Sequence, residues 1–530
     1  MTVLFDVPGT SRRVFLGTAA AAAGSALLPA IAAPAAKYTR YNATSPQGRA
    51  MLVSYERGVQ KLLKYDAGDS RNWFRNAFIH AMDCPHGNWW FFTLAPPLRR
   101  LFRADGARRL GQSRFRLSLL GLDGGGADSR RHVLRRARSD ERVLQSLYFD
   151  LRDVFEYLNP AMTDYWKTLS PAQLAQLQTR GMPTLASLWQ QVKDFEQSAM
   201  YAQTPYARYL TKANPWLDDK TKVTVSLPTI LKGLAPNTFD TFNSNETPSH
   251  NTAPSGTTVF AILEGQPHNK THNNLGGVGH IPNDQYLKFG YMADNLSPVD
   301  PVFFLHHSNM DRLWDVWTRK QQARRLPWLP TGTQWPTFAK EPFLFYADRM
   351  GKPAPRKTAG EAIPIGDFDY AYQPGSGEQI VTPVAAAVAA LKPFVGAVSA
   401  GAGAVSVPQN LLQGGTLVAS ITIPHPMSGA SPRDYDVLVN APPGTTHVEA
   451  DSPYYAGTVS FFGFMAGMMA MDVTFQVPLT KLPAAAKGKA PGDLVFTVVP
   501  SYASPNLAAA ALGRNGPAPL LKAVSVAVSP

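Results

Sequence analysis

The sequence predicts a mainly α protein in two parts, a helical bundle followed by a smaller all-β, sandwich-like C-terminal domain. Two observations carry this. Apolar residues recur at helical spacing near the start, as in Leu52, Tyr55, Val59, Leu62 and Leu63. Segments of alternating character dominate the end, at 416–423, 434–439 and 493–499, and read as strands. An Ala-, Gly- and Val-rich stretch at 383–404 separates the two kinds of pattern and looks like a linker. The division expected is an export signal at 1–36, a helical domain at 37–350, a linker at 351–404 and a capping β-sandwich at 405–530.

Each part has its own local reason. Ser11-Arg12-Arg13-Val14-Phe15-Leu16 is a twin-arginine pattern, followed by an Ala-rich run ending in small residues before Lys37. It reads as a bacterial Tat signal, which implies passage through the Tat translocon and a periplasmic or secreted product. Helices continue over 160–212, with breaks expected at Pro171 and Pro183. Residues 213–258 are rich in Pro, Thr, Asn and Ser and read as a long irregular loop, and 323–375 as Pro-rich coil.

At 530 residues with 45% hydrophobic content, the chain can bury more than one sizeable core. A single cysteine, Cys84, excludes an intramolecular disulfide framework and any cysteine-rich zinc module. No run beyond the signal is long and apolar enough to predict a stable membrane span. The net charge of +13 invites a nucleic-acid or membrane-surface reading. Its distribution argues against one, because residues 94–150 contribute +7 of it, with 13 Arg, no Lys and six acids.

Three blocks of histidine carry the chemistry. The first is His80-Ala-Met-Asp-Cys84-Pro-His86, followed by Gly-Asn-Trp-Trp-Phe-Phe. In the second, His268-Asn-Lys-Thr-His272, i, i+4 spacing puts both imidazoles on one helix face, where they can share a metal. It is not the zinc-protease motif, since Asn269 stands where that motif has Glu. The third runs from Asp300-Pro301 through Phe303, Phe304, His306, His307 and Asp311 to Trp314. Asp300-Pro301 suits a helix start, His307 falls on the buried stripe, and His306 and Asp311 can serve as orienting partners. Taken singly, each block also fits ordinary core histidines or, at Cys84, a buried thiol.

Together the blocks resemble the type-3 copper proteins: tyrosinases, catechol oxidases and molluscan haemocyanins, with the Cys-x-His form of plant-type members. The resemblance covers roughly 40–350, and more loosely the β-sandwich that caps polyphenol oxidases. It implies two copper ions, with His268, His272 and His307 on CuB, His80 and His86 on CuA, and a thioether from Cys84 to His86. All-imidazole sites suit copper. The implied activity is oxidation of a small phenolic substrate by O₂, by ortho-hydroxylation of monophenols and conversion of catechols to o-quinones. Glu264 and Asn269 occupy the places of the pair that holds a water for deprotonating a monophenol, and Met292 that of a gating residue. The alternatives left open are a catechol oxidase only, or a non-catalytic copper- or oxygen-binding protein. A side chain among Phe461–Met465 is expected to plug the pocket.

The sequence departs from the family in one place. The third CuA histidine is expected nine residues after His86, in a Trp-His-Arg context, and that position is Ala95. The run from Leu94 can be coded so that dropping one base gives Trp-His-Arg-Arg-Tyr. The same offset over 117–123 permits Phe-Pro-Tyr-Trp-Asp-Trp, another family hallmark. Residues 94–150 therefore read as an out-of-frame stretch, the alternative being a natural Arg-rich insertion. The expectation is CuB intact, CuA lacking one ligand, and impaired activity of the chain as written.

Overall fold

A computed structural model describes residues 38–93, 151–193, 209–210, 214–252, 258–280, 290–348, 350–354, 358–363, 370–383, 392–412, 417–425, 432–462, 471–480, 493–512 and 520–528. The twin-arginine segment and the whole of 94–150, including Ala95, lie outside the described residues.

The first part is helical, as expected. Strand β1 (Tyr38–Arg40) leads into α1 (Pro46–Leu63), whose N-cap Ser45 accepts from Gly48 N and which buries Leu52, Tyr55, Val59, Leu62 and Leu63. Helix α2 (Trp73–Asp83) is capped by Asn72 and carries His80 in its last turn. Then come α3 (Leu151–Lys167), α4 (Pro171–Thr179) and α5 (Leu185–Lys193). Pro171 does mark a break, and it does so as the first residue of α4 behind a Ser170 capping box.

The stretch 213–258 read as irregular loop holds three short helices, α6 (Asp219–Thr224), α7 (Leu227–Leu234) and α8 (Phe239–Phe242). They are too short to show periodicity, but Asp218, Ser226 and Thr238 stand at their N-caps. Strand β2 (Thr258–Phe260) precedes a π-helical turn (Glu264–His268), which runs into α9 (Asn269–Leu275). Helix α10 (Val302–Ala323) starts where Asp300 Oδ1 accepts from Val302 N, and α11 (Gln334–Lys340) follows. Strand β3 (Tyr370–Tyr372) pairs with β1 and anchors to α10, Tyr370 and Tyr372 both donating to Asp311.

Aromatic rings fill the core of this part. Trp73, Phe74, Phe78, Trp89, Trp90, Phe92, Trp314 and Trp317 are all buried, and Phe242 stacks on Trp317 at 4.2 Å. Full burial of one such ring contributes about 2–3 kcal/mol.

The second part is a sandwich of two five-stranded sheets. Its strands are β4 (Phe394–Val395), β5 (Ala397–Ser399), β6 (Ala402–Ser406), β7 (Leu417–Pro424), β8 (Asp434–Val439), β9 (Tyr455–Ser460), β10 (Asp472–Pro478), β11 (Asp493–Pro500) and β12 (Ala523–Val528). Helices α12 (Gln409–Leu412) and α13 (Pro505–Leu512) interrupt them. The orders are β2-β10-β7-β12-β4 and β5-β6-β11-β8-β9. The three strands read from alternation are β7, β8 and β11. Strands β4 to β6 fall inside or across the stretch taken for a linker, because small residues hide their alternation.

One strand of the sandwich comes from the helical part. β2 pairs parallel with β10 in the register Thr258↔Val473 and Phe260↔Phe475, and Phe260 stacks on Phe475. Buried ion pairs add to this seam, with Lys270 on Asp434 at 2.7 Å and Lys220 on Asp436 at 2.6 Å.

Candidate metal centre

Five histidines from three separated blocks meet in the interior. The i, i+4 spacing from the end of the π-helical turn into α9 brings His268 and His272 together, and α10 brings His307 to them. His307 Nε2 lies 3.4 Å from His268 Nε2 and 3.1 Å from His272 Nε2. Three ring nitrogens converging in this way match the ligand set of one ion. The opposite nitrogens are held: His272 Nδ1 by Met292 O at 2.7 Å, and His268 Nδ1 by Asn269 Oδ1 at 2.8 Å. Each such bond places the proton on Nδ1 and leaves the Nε2 lone pair free.

His80, at the end of α2, repeats the pattern, its Nδ1 held by Asn295 O at 2.7 Å. The Nε2 atoms of His80 and His86 are buried without a hydrogen-bond partner. The two rings lie 5.0 Å apart, and His86 faces His268 across 5.8 Å, so the two groups open onto one shared space. Cys84 is buried beside them, its Sγ within 4.8 Å of ring nitrogens of both His80 and His86. Burial pushes its thiol pKa well up.

Burial also drives all five histidines toward the neutral form, His80 to about 4 and the others further below the ordinary range. Neutral imidazoles with converging Nε2 atoms fit a bound transition-metal ion. His306 also lies within 4.8 Å of His268 and His272. Its ring stacks at 5.4 Å on His268 with both ring nitrogens buried and without a hydrogen-bond partner, while His307 presents Nε2 to both His268 and His272.

Glu264 lies beside the His80–His86 group. Its carboxylate accepts from Gly87 N, next to His86, at 2.7 Å and from Ser244 Oγ at 2.5 Å. Burial raises its pKa to about 8. Asn269 is engaged as well, donating from Nδ2 to Ser460 O of the sandwich at 2.8 Å. Met292 is buried and meets the site through its carbonyl.

Two contributors, Arg180 and His250, were not legible in the sequence. Arg180 ties the turn between His80 and His86, donating to Ala81 O and Cys84 O. His250 bridges Asp83 at 2.9 Å and Glu341 at 2.5 Å. From the sandwich, Phe462 enters the shared space. Its ring stacks on His272 at 3.8 Å and lies 5.4–6.0 Å from His86, His268 and His80. It falls within the range expected to supply a plug, whereas its neighbour Phe461 packs in the sandwich core.

Comparison with known proteins agrees with this centre. Residues 150–320 match the common central domain of tyrosinase. The part of the chain that bears His268, His272 and His307 is thus similar to the central domain of tyrosinases. A tyrosinase of Hahella sp. (strain CCB-MM4) is 32% identical over 144 residues, covering 26% of this chain and 25% of that protein. Haemocyanin beta-C chain unit D of Helix pomatia is 41% identical over 61 residues, 12% of this chain and 13% of that unit. The sequence matches thus span a quarter or less of these relatives' lengths. The solved structure of a latent aurone synthase (polyphenol oxidase) superposes with a TM-score of 0.54 at 16% identity, over 94% of this chain and 91% of that one. It shares the tyrosinase-family fold, a helical domain with a β-rich C-terminal region.

Proposed function

We propose that this fold serves the oxidation of phenols by O₂ at a pair of copper ions, and that the chain as written is impaired in it. The observation that carries the reading is the convergence of His268, His272 and His307 through Nε2, opposite His80 and His86 with free Nε2 atoms. His268, His272 and His307 would hold one copper; His80 and His86 would hold the other, with Cys84 linked to His86 by a thioether. Bound there, the pair of coppers supplies O₂ binding and two-electron oxidation.

The chain's own residues would do the rest. The carbonyls of Asn295 and Met292 and the amide of Asn269 fix the imidazole tautomers. The surrounding Phe91, Phe303 and Phe462 rings keep water out. Glu264 would take a proton from a monophenol in its ionised form, which burial confines to pH near and above about 8. This supports hydroxylation of monophenols as well as catechol oxidation. Phe462 occupies space that a phenol ring would need, so the sandwich would hold the enzyme latent until that ring moves.

Impairment follows from Ala95, which offers no donor where the third CuA ligand is expected. The out-of-frame reading of 94–150 accounts for both that loss and the arginine excess. The twin-arginine pattern supports export to the periplasm or beyond. Copper stoichiometry, combined with oxygen uptake on a monophenol and on a catechol, tests the proposal. About one tightly held copper per chain with feeble uptake is expected. Absence of copper at the His268 group would overturn it.

A further inference from the structure

We infer that Arg433, a residue of the β-sandwich, is a positioning residue for one histidine of each metal-binding group. The inference rests on the copper reading above only for what the two groups bind.

A single short segment orients both groups. Met292 O takes the Nδ1 proton of His272, and Asn295 O takes that of His80, each at 2.7 Å. Between these two carbonyls lies Ala293 O, which accepts from Arg433 Nη1. The segment is a tight turn, closed by Ala293 N to Gly290 O and Asp294 N to Tyr291 O. A shift at Ala293 is therefore carried to Met292 and Asn295 alike.

The other side of the turn is pressed against α9. Gly276 stands where a Cβ would come within 2.5 Å of Ala293 Cβ, so the helix end and the turn are in direct contact. Arg433 closes the arrangement from the sandwich. It is 3% exposed, and its guanidinium faces Asp294 and Asp434. Its own carbonyl accepts from Phe461 N at 2.8 Å. The same backbone neighbourhood thus sets both Arg433 and the adjacent Phe462. The sandwich obstructs the centre through one residue and builds it through another.

The test uses the full chain with ¹⁵N-labelled histidine, free of metal, comparing wild type with Arg433→Met, Arg433→Lys and Phe462→Ala. In the wild type, His80, His268 and His272 each show a protonated Nδ1. Arg433→Met is expected to shift or broaden the Nδ1 signals of His80 and His272 and to spare His268, whose Nδ1 is held by Asn269. Arg433→Lys, which retains one donor, should shift the same two signals less. Phe462→Ala should leave the Nδ1 bonding of all three intact. Copper titrated against a competing chelator should bind about tenfold more weakly to Arg433→Met than to wild type.

Unchanged His80 and His272 signals in Arg433→Met, or equal shifts in all three histidines, would overturn the inference. If Arg433→Met does not fold, Arg433→Lys decides by the same two signals. A wild type that takes up no copper while Arg433→Met still moves His80 and His272 would sink the copper reading and leave the positioning role standing.

Discussion

The ring of Phe462 stacks on the imidazole of His272, with centroids 3.8 Å apart and planes 22° from parallel. A side chain of the β-sandwich thereby occupies the space shared by two histidine groups of the helical domain. Phe462→Ala should open that space without removing a metal ligand. Binding of a phenolic acid to the copper-loaded chain, followed by calorimetry, should tighten at least tenfold. The substitution should also cost about 3 kcal/mol of stability, from lost burial of the ring. Unaltered phenol affinity would show that Phe462 is packing and no obstacle. A point change is the cleaner test, because deleting the sandwich would also strip β10 from β2 and expose Phe260.

The missing ligand makes a separate prediction. His307→Ala should abolish copper binding at the His268 group, since His307 Nε2 faces both remaining nitrogens. Ala95→His alone should leave oxygen uptake on catechol near background, because a ligand also needs the supporting helix around it. Full recovery from that single change would refute the out-of-frame reading of 94–150.

Glu264 makes stability depend on pH. Burial raises its carboxyl pKa to about 8, against the opposing hydrogen bonds from Ser244 and Gly87. An unfolded glutamate titrates near about 4.3. Between these values the folded state keeps a proton that the unfolded state releases, so stability falls as pH rises and levels off above about 8. In the metal-free chain the melting temperature of wild type minus that of Glu264→Gln should fall from pH 5 to 8, a difference that cancels the opposite trend from the buried neutral histidines below about pH 6.5. Parallel curves for the two proteins would contradict the assignment.

The interdomain seam behaves in the opposite sense. Burial opposes the charge on Asp218, but Lys270 and His280 outweigh it and hold its carboxyl well below the usual range. A depressed carboxyl pKa contributes stability that is fully present above the unfolded value of about 3.9 and is lost as pH falls below it. The gap in melting temperature between wild type and Asp218→Asn should be constant from pH 5 to 8 and should shrink below about pH 4. A gap that widens in acid would rule out this role.

Much of the site was legible before the fold. His268 and His272 were readable because helical spacing alone puts them on one face, and Asp300-Pro301 marked the start of the helix that bears His307. The strands β7, β8 and β11 were readable because strict alternation survives in sequence. The helices α6 to α8 were missed because four to eight residues carry no measurable period, although their caps were present. Strands β4 to β6 were missed because alanine and glycine blur the difference between the two faces.

By itself the sequence supplied the imidazoles able to bind copper and showed that position 95 is alanine, which offers no donor. Ligand identity is a property of residue type and local spacing, and both are written along the chain. Tertiary structure alone decided what holds and what blocks those ligands. The carbonyls of Met292 and Asn295, the clamp from Arg433, the borrowed strand β2 and the ring of Phe462 act across separations of up to several hundred residues. Backbone carbonyls carry no sequence signature, and the resemblance narrowed the plug only to Phe461–Met465 without saying which side chain reaches the histidines. Only the packing of the sandwich onto α9 gives them their roles.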